Sequence, residues 1–221
     1  MEIRHRGAPV SEWEGTYVIG LTGNIGTGKS VVRRMLEQLG AYGIDADVLS
    51  HRVTARNGPA YQPIVETFGS QVLREDGEID RARLGKLVFS DPEKLSVLES
   101  IVHPLVRQAI DAEVSTASRP VVVLEAIKLL ETSLRKQCDS LWVVYASPEV
   151  QLRRLVESRG MDEQDARQRI QAQPPQEEKV AAADVVIDNS GSVNQTMEQV
   201  TRAWNRLVPV PAENLNRRFS L

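Results

Sequence analysis

The sequence is short of several things, and each shortage excludes a class of protein. It has one cysteine in 221 residues, Cys138. A lone thiol closes no internal disulfide, so a secreted, disulfide-stapled framework is excluded. Cys138 reads as a small buried hydrophobe. No window approaches the roughly 18 apolar residues of a transmembrane helix, so no membrane partner is expected. Positive charge is not in excess: 27 Lys and Arg face 30 Asp and Glu, a net charge of −3. No broadly basic face is implied, and nucleic acid is not an expected partner. Any phosphate binding must come from locally focused charge. Residues 1–15 carry Glu2, Arg4, His5, Arg6, Glu12 and Glu14 around no apolar segment, so they do not read as a secretory signal. Residues 1–16 are expected to be a flexible extension and 208–221 a frayed tail. The location these shortages point to is cytoplasmic.

The remaining composition is ordinary for a globular protein, with 41% hydrophobic and 26% charged residues. The length suits one large domain or a core with a small appendage. Tyr17–Leu21, Ala41–Ile44, Pro120–Leu124, Leu141–Tyr145 and Ala183–Ile187 are short apolar runs that read as strands. Between them, Lys29–Leu39, Pro148–Arg159, Asp162–Gln173 and Ser192–Leu207 read as helices, and another opens near Asp47. Residues 60–115 look mostly helical, with Asp91-Pro92 as a capped helix opening. Solidly apolar strands alternating with helices predict an α/β fold, a parallel sheet covered on both faces.

Gly23-Asn24-Ile25-Gly26-Thr27-Gly28-Lys29-Ser30 fits G-x-x-x-x-G-K-[ST] at every fixed position. A chance match in a chain this long is on the order of one in a hundred at ordinary glycine usage. A strand precedes the loop and an amphipathic helix follows it, as the chemistry requires. The glycines let successive N–H groups turn inward, and the helix N-terminus adds its own donors, so that phosphate oxygens are cradled. Lys29 adds a charge for the β- and γ-phosphates, and the Ser30 hydroxyl is a ligand for Mg²⁺. There is no N-K-x-D guanine motif. Glu125, after the third strand, is a partial match to the acidic metal ligand of motor and transporter ATPases. Asp45-Ala46-Asp47 follows the second strand, whose carboxyl end opens onto the same crevice as the loop in a parallel sheet. A carboxylate there can accept a hydroxyl proton from an acceptor; the alternative reading is that one of the two aspartates merely caps the next helix. Length and this second acidic motif fit a small-molecule kinase.

The segments IGLTGNIGTGKS, GAYGIDADVLSHRV, VHPLVR and ADVVIDNSGS together resemble the dephospho-coenzyme A kinase family. The resemblance runs from about Tyr17 to Trp204. It implies ATP- and Mg²⁺-dependent phosphorylation of the ribose 3′-hydroxyl of dephospho-CoA, the last step of coenzyme A biosynthesis. It also implies a three-layer P-loop kinase core (17–58, 117–157 and 174–207), a helical acceptor region at about 59–116 and a helical lid at about 158–173. The chain would act as a monomer or weak homo-oligomer. Carried over by position, Asp47 is the general base and touches the acceptor, Lys29 stabilises the migrating phosphoryl group, and His103 lies on the acceptor side. Arg107 faces either the acceptor phosphates or solvent. Among Arg153, Arg154, Arg159, Arg167 and Arg169, the resemblance makes Arg154 catalytic and Arg159 a nucleotide ligand; the same residues also read as a solvated, salt-bridged helix pair. Asn189 and Gly191 line the adenine pocket or form a plain turn.

The chain departs from the family after the third strand. Where a Pro-Leu-Leu stretch is usual it has Ile127-Lys128-Leu129, and Glu125 replaces an apolar residue. Glu125 and Lys128 would pair if that stretch were helical. Asn24 replaces the usual glycine. The departure leaves open a related kinase with another nucleoside or nucleotide acceptor, and a nucleotide-binding regulator without turnover.

Overall fold

The computed structural model describes residues Glu12–Leu207. The expected extension over 1–11 and the tail at 208–221 lie outside the described residues. Glu12–Thr16 form a turn, in which Thr16 N donates to Trp13 O at 3.0 Å.

The chain divides into two compact units, one of Met1–Ile44 with Ala117–Leu221 and one of Asp45–Thr116. The first is built on a five-stranded sheet: β1 (Tyr17–Thr22), β2 (Tyr42–Asp45), β3 (Val121–Glu125), β4 (Ser140–Tyr145) and β5 (Val185–Asp188), in the order β2-β3-β1-β4-β5. The pairs β1–β3, β1–β4 and β4–β5 are all parallel. β1 therefore lies at the centre, with strands that come later in the chain on both sides. Its burial follows from composition: Val18, Ile19 and Leu21 are fully covered, as are Val122–Leu124 of β3. Strands buried on both faces have no polar side to alternate, which is why they read as continuous apolar runs.

Helix α1 (Lys29–Gln38) turns Val32, Met35 and Leu36 onto one face of the sheet. The closing helix α9 (Val193–Leu207) adds Val200 and Ala203 to the same cluster, against Ile19, Leu21, Val121, Val123, Trp142, Val144, Val185 and Ile187. Each of the larger aliphatic side chains among these contributes on the order of 1.5–3 kcal/mol by leaving water. The expected strand at Ala183–Ile187 begins two residues later, because Asp184 is used differently. Its carboxylate accepts Leu141 N at 2.8 Å and lies 3.6 Å from the Arg135 guanidinium. The expected helix Pro148–Arg159 is two pieces: α6 (Pro148–Arg153), capped by Ser147, and a π-helical turn at Arg154–Ser158. Asp162 caps α7 (Glu163–Gln171), and α8 (Gln176–Ala182) follows the Pro174-Pro175 break.

The second unit is helical. It comprises α2 (Ala46–Thr54), α3 (Tyr61–Phe68), α4 (Arg81–Phe89) and the long α5 (Pro92–Thr116). Asp91 caps α5 as expected, its carboxylate accepting Glu93 N and Lys94 N. Val106, Ile110 and Val114 of α5 are buried, and α2, α3 and α4 all pack against this helix. Pro104 lies inside α5 and cannot donate to the carbonyl of Ser100 one turn back.

Gly20 of β1 tests the packing of the sheet. A Cβ there would come within 2.7 Å of both Cys138 Sγ and Leu129 Cδ2. Gly20→Val is expected to lower stability by about 1–3 kcal/mol through overpacking. Guanidinium unfolding should show a lower midpoint at unchanged m-value; an unchanged midpoint would contradict this packing.

Candidate active site

The loop Gly23–Ser30 leaves the carboxyl end of the central strand β1 and runs into α1. Two of its glycines are dictated by close approach as well as by backbone angle. Gly23 has φ 153° and a Cβ there would collide with the Val144 carbonyl; Gly28 has φ 90° and a Cβ would collide with Asn189 Nδ2. L-residues with side chains are strained at such angles. The Lys29 ammonium folds back along the loop, donating to Gly23 O at 2.9 Å and Asn24 O at 3.3 Å.

The curl is held from behind. Arg154 NH1 donates to Thr27 O at 3.1 Å and Gly26 O at 3.3 Å, and its NH2 donates to Asn189 O at 2.7 Å. Asn189 Nδ2 donates to Thr27 O at 2.8 Å, while its Oδ1 accepts the hydroxyl of the fully buried Thr196 at 2.8 Å. Burial, and secondarily the charge of Arg153, lower the Arg154 pKa, which leaves a guanidinium still charged at neutral pH. Arg154 and Asn189 thus grip the carbonyls of the loop. The sequence offered no way to see this, because the partners are more than a hundred residues apart.

On the other rim, Ile25 N donates to Gln173 Oε1 at 2.6 Å and Asn24 Nδ2 donates to Pro174 O at 2.9 Å. The segment just after α7 is therefore fastened to the loop. Lys179 of α8, 4% exposed, donates to Ile127 O at 3.1 Å, which also accepts Thr22 Oγ1. Burial pushes the Lys179 pKa down, against a smaller upward pull from Glu131. None of Gln173, Pro174 and Lys179 carried a signal in the sequence.

Glu125 ends β3 beside β1, and its carboxylate is buried. It accepts Ser30 Oγ at 3.1 Å and Arg33 Nε at 2.8 Å. The helical stretch that would pair Glu125 with Lys128 is absent: residues 126–128 leave the strand as a turn, and Lys128 is exposed. The apolar position that Glu125 replaces is thus a polar one in this chain, tied to the last residue of the loop. The sequence signal was present, as an acid directly after an apolar strand.

Among the described residues, no group of three or more His, Cys, Asp or Glu could hold a metal ion alone. The Ser30 hydroxyl and Glu125 carboxylate nevertheless fit Mg²⁺, a hard cation held by one or two protein oxygens, with waters and substrate phosphates completing its shell.

In the second unit, Asp45 is the helix cap, its Oδ1 accepting Val48 N at 3.0 Å, and Asp47 lies half-buried in the first turn of α2. His103 is exposed on α5. Arg107 pairs with Asp111 at 2.7 Å. In residues 158–173, expected to form a lid, Arg159 and Arg169 are exposed and Arg167 pairs with Glu163 at 2.7 Å.

Comparison with known proteins agrees with this geometry. The sequence profile of the dephospho-CoA kinase family matches residues 17–195. The dephospho-CoA kinase of Carboxydothermus hydrogenoformans is 47% identical over 186 residues, covering 83% of this chain and 90% of that protein. That of Aquifex aeolicus is 45% identical, covering 87% and 98%. The crystal structure of TT1252 from Thermus thermophilus, 34% identical, superposes with a TM-score of 0.77 over 86% of this chain and 97% of that one. A shikimate kinase from Bacteroides thetaiotaomicron shares the fold at 16% identity and a TM-score of 0.50. With the phosphate loop on the central strand of a parallel sheet and these relatives spanning most of its length, the chain belongs to the dephospho-CoA kinase family.

Proposed function

We propose that the protein transfers the γ-phosphoryl group of ATP to the ribose 3′-hydroxyl of dephospho-CoA, giving coenzyme A and ADP. The observation that carries the reading is the loop Gly23–Ser30, shaped by Arg154 and Asn189 and ending on the Ser30–Glu125 hydrogen bond, in a chain of this family. Phosphoryl transfer asks little covalent chemistry of the protein; positioning and charge stabilisation supply most of the catalysis.

In this reading the backbone N–H groups of the loop other than those of Ile25 and Thr27, which donate to Gln173 Oε1 and Asn24 O, take the phosphate oxygens together with the N-terminus of α1. Lys29 follows the transferring group with its charge. Ser30 and Glu125 are the residues that would hold Mg²⁺, which neutralises charge on the phosphates when bound. Asp47 accepts the proton of the attacking hydroxyl, and His103 contacts the acceptor. Arg159 contributes charge from the lid, which excludes water on closure. Arg154 and Asn189 contribute through the loop they hold. Asp47 also argues against a regulator without turnover, which needs no base. Among the described residues no helix is long and apolar enough to cross a membrane.

A coupled ADP-release assay with ATP, Mg²⁺ and a panel of acceptors tests the assignment. Turnover with dephospho-CoA is expected. Turnover with a nucleoside monophosphate and none with dephospho-CoA would replace it with a related kinase activity. Asp47→Asn should lower kcat by on the order of 10²–10⁴ while ATP binding persists; an unchanged kcat in the folded variant removes Asp47 from the role of base.

The loop assignment has its own test. Asn189→Ala removes one of two hydrogen bonds at each of Thr27 O and Thr196 Oγ1, leaving those from Arg154 and to Ser192 O, at about 0.5–1.5 kcal/mol per bond lost. ADP affinity measured by calorimetry is expected to fall by tenfold or more at roughly 1.4 kcal/mol per decade. Wild-type affinity in a folded Asn189→Ala protein would show that the loop keeps its shape without this support.

A further inference from the structure

Arg33 lies outside the roles assigned so far. It stands on α1 one turn after Ser30, and its guanidinium joins two carboxylates. Nε donates to Glu125 Oε2 at 2.8 Å, and NH1 donates to Glu37 Oε1 at 2.6 Å. The spacing Ser30, Arg33, Glu37 keeps all three on one helix face. The Glu125 side chain is 5% exposed and that of Arg33 is 22% exposed, so solvent screens the pair weakly. A carboxylate that deeply placed needs opposite charge and hydrogen bonds to offset its desolvation. Arg33 supplies both to one oxygen of Glu125.

The other oxygen, Oε1, faces the Ser30 hydroxyl at 3.1 Å. A carboxylate can only accept, so the serine O–H donates to it. With its hydrogen directed to Glu125, the Ser30 oxygen has its lone pairs left for a cation. Which way those lone pairs point depends on where Glu125 holds the O–H, and Glu125 is oriented by the planar fork of Arg33, itself braced on Glu37.

We propose that Arg33 is a positioning residue for the magnesium site: acting through Glu125, it orients the Ser30 hydroxyl and so sets how strongly Mg²⁺ tightens nucleotide binding. The inference rests on the reading of Ser30 as a magnesium group. It places Arg33 in contact with neither nucleotide nor cation. Its effect belongs to the metal, and a merely structural arginine would not show that selectivity.

The readout is the affinity for ADP measured by calorimetry with Mg²⁺ and again with a chelator; the ratio of the two is the magnesium enhancement. Arg33→Met should lower this ratio by about tenfold, the scale of outer-shell effects at metal sites, and leave the magnesium-free affinity in place. In a Glu125→Gln background, Arg33→Met should lower it no further, because the group through which Arg33 acts has lost its charge. The double variant buries no unpaired carboxylate and so keeps the comparison available if Arg33→Met alone does not fold. A wild-type ratio in Arg33→Met, or an equal further loss in the Glu125→Gln background, overturns the proposal. Ser30→Ala separates the two levels. If it abolishes the enhancement while Arg33→Met does not, only the role of Arg33 falls. If it keeps the enhancement, the reading of Ser30 falls and the role of Arg33 with it.

Discussion

The arrangement depends on one constraint: a loop that points its N–H groups inward must turn carbonyls outward, and those carbonyls need donors of their own. Here Arg154 and Asn189 supply them at Gly26 and Thr27. The Asn189 side chain comes so close to Gly28 that no Cβ fits between them. Thr196 fixes the amide, so that its nitrogen faces the loop. Each link removes a freedom from the next, and α9, far along the chain, ends up supporting the loop's curl.

That chain of support explains why the sequence showed the loop and named Arg154 and Asn189 without the contacts by which they frame it. The G-x-x-x-x-G-K-[ST] spacing is local, and a local pattern can be read from one stretch of residues. The five strands were legible for a similar reason: runs such as Val121–Val123 are apolar without alternation, which only a doubly covered strand tolerates. Boundaries slipped where a side chain did something specific. β5 starts late because Asp184 serves β4 with its carboxylate. The helix at Pro148 changes pitch at Arg154, the same residue that reaches the loop. A one-residue widening of a helix leaves no periodic trace in eleven residues.

Glu125 shows the converse, a legible residue whose partner was not. Its place after β3 was visible, and helical spacing suggested Lys128 as its counter-ion. The strand instead ends in a turn, and the opposing charge comes from Arg33 on a different element. Tertiary placement supplied a cation that the helical spacing did not offer. The aspartate pair was resolved in the same way: Asp45 takes the cap, where its oxygen meets Val48 N, and Asp47 is left in the first helical turn.

A chain of net charge −3 that handles polyanions must concentrate its favourable field where the ligand arrives. The loop does this with few charges. Backbone dipoles and a helix N-terminus carry no counter-ion and are fixed in place by folding, so they need no reorganisation when phosphate arrives. Lys29 adds one charge, held along the loop by Gly23 O and Asn24 O. Glu125 is an anion placed beside this electropositive loop, and such a group is tolerable only if its field is largely cancelled. Arg33 offsets it at 2.8 Å through one oxygen, and the other oxygen accepts the Ser30 hydroxyl. Meanwhile Gln173 and Pro174 fasten the root of α7 to Asn24 and Ile25. The segment that follows α7 is thus held to the loop at two points, once by a backbone donor and once by a side-chain donor.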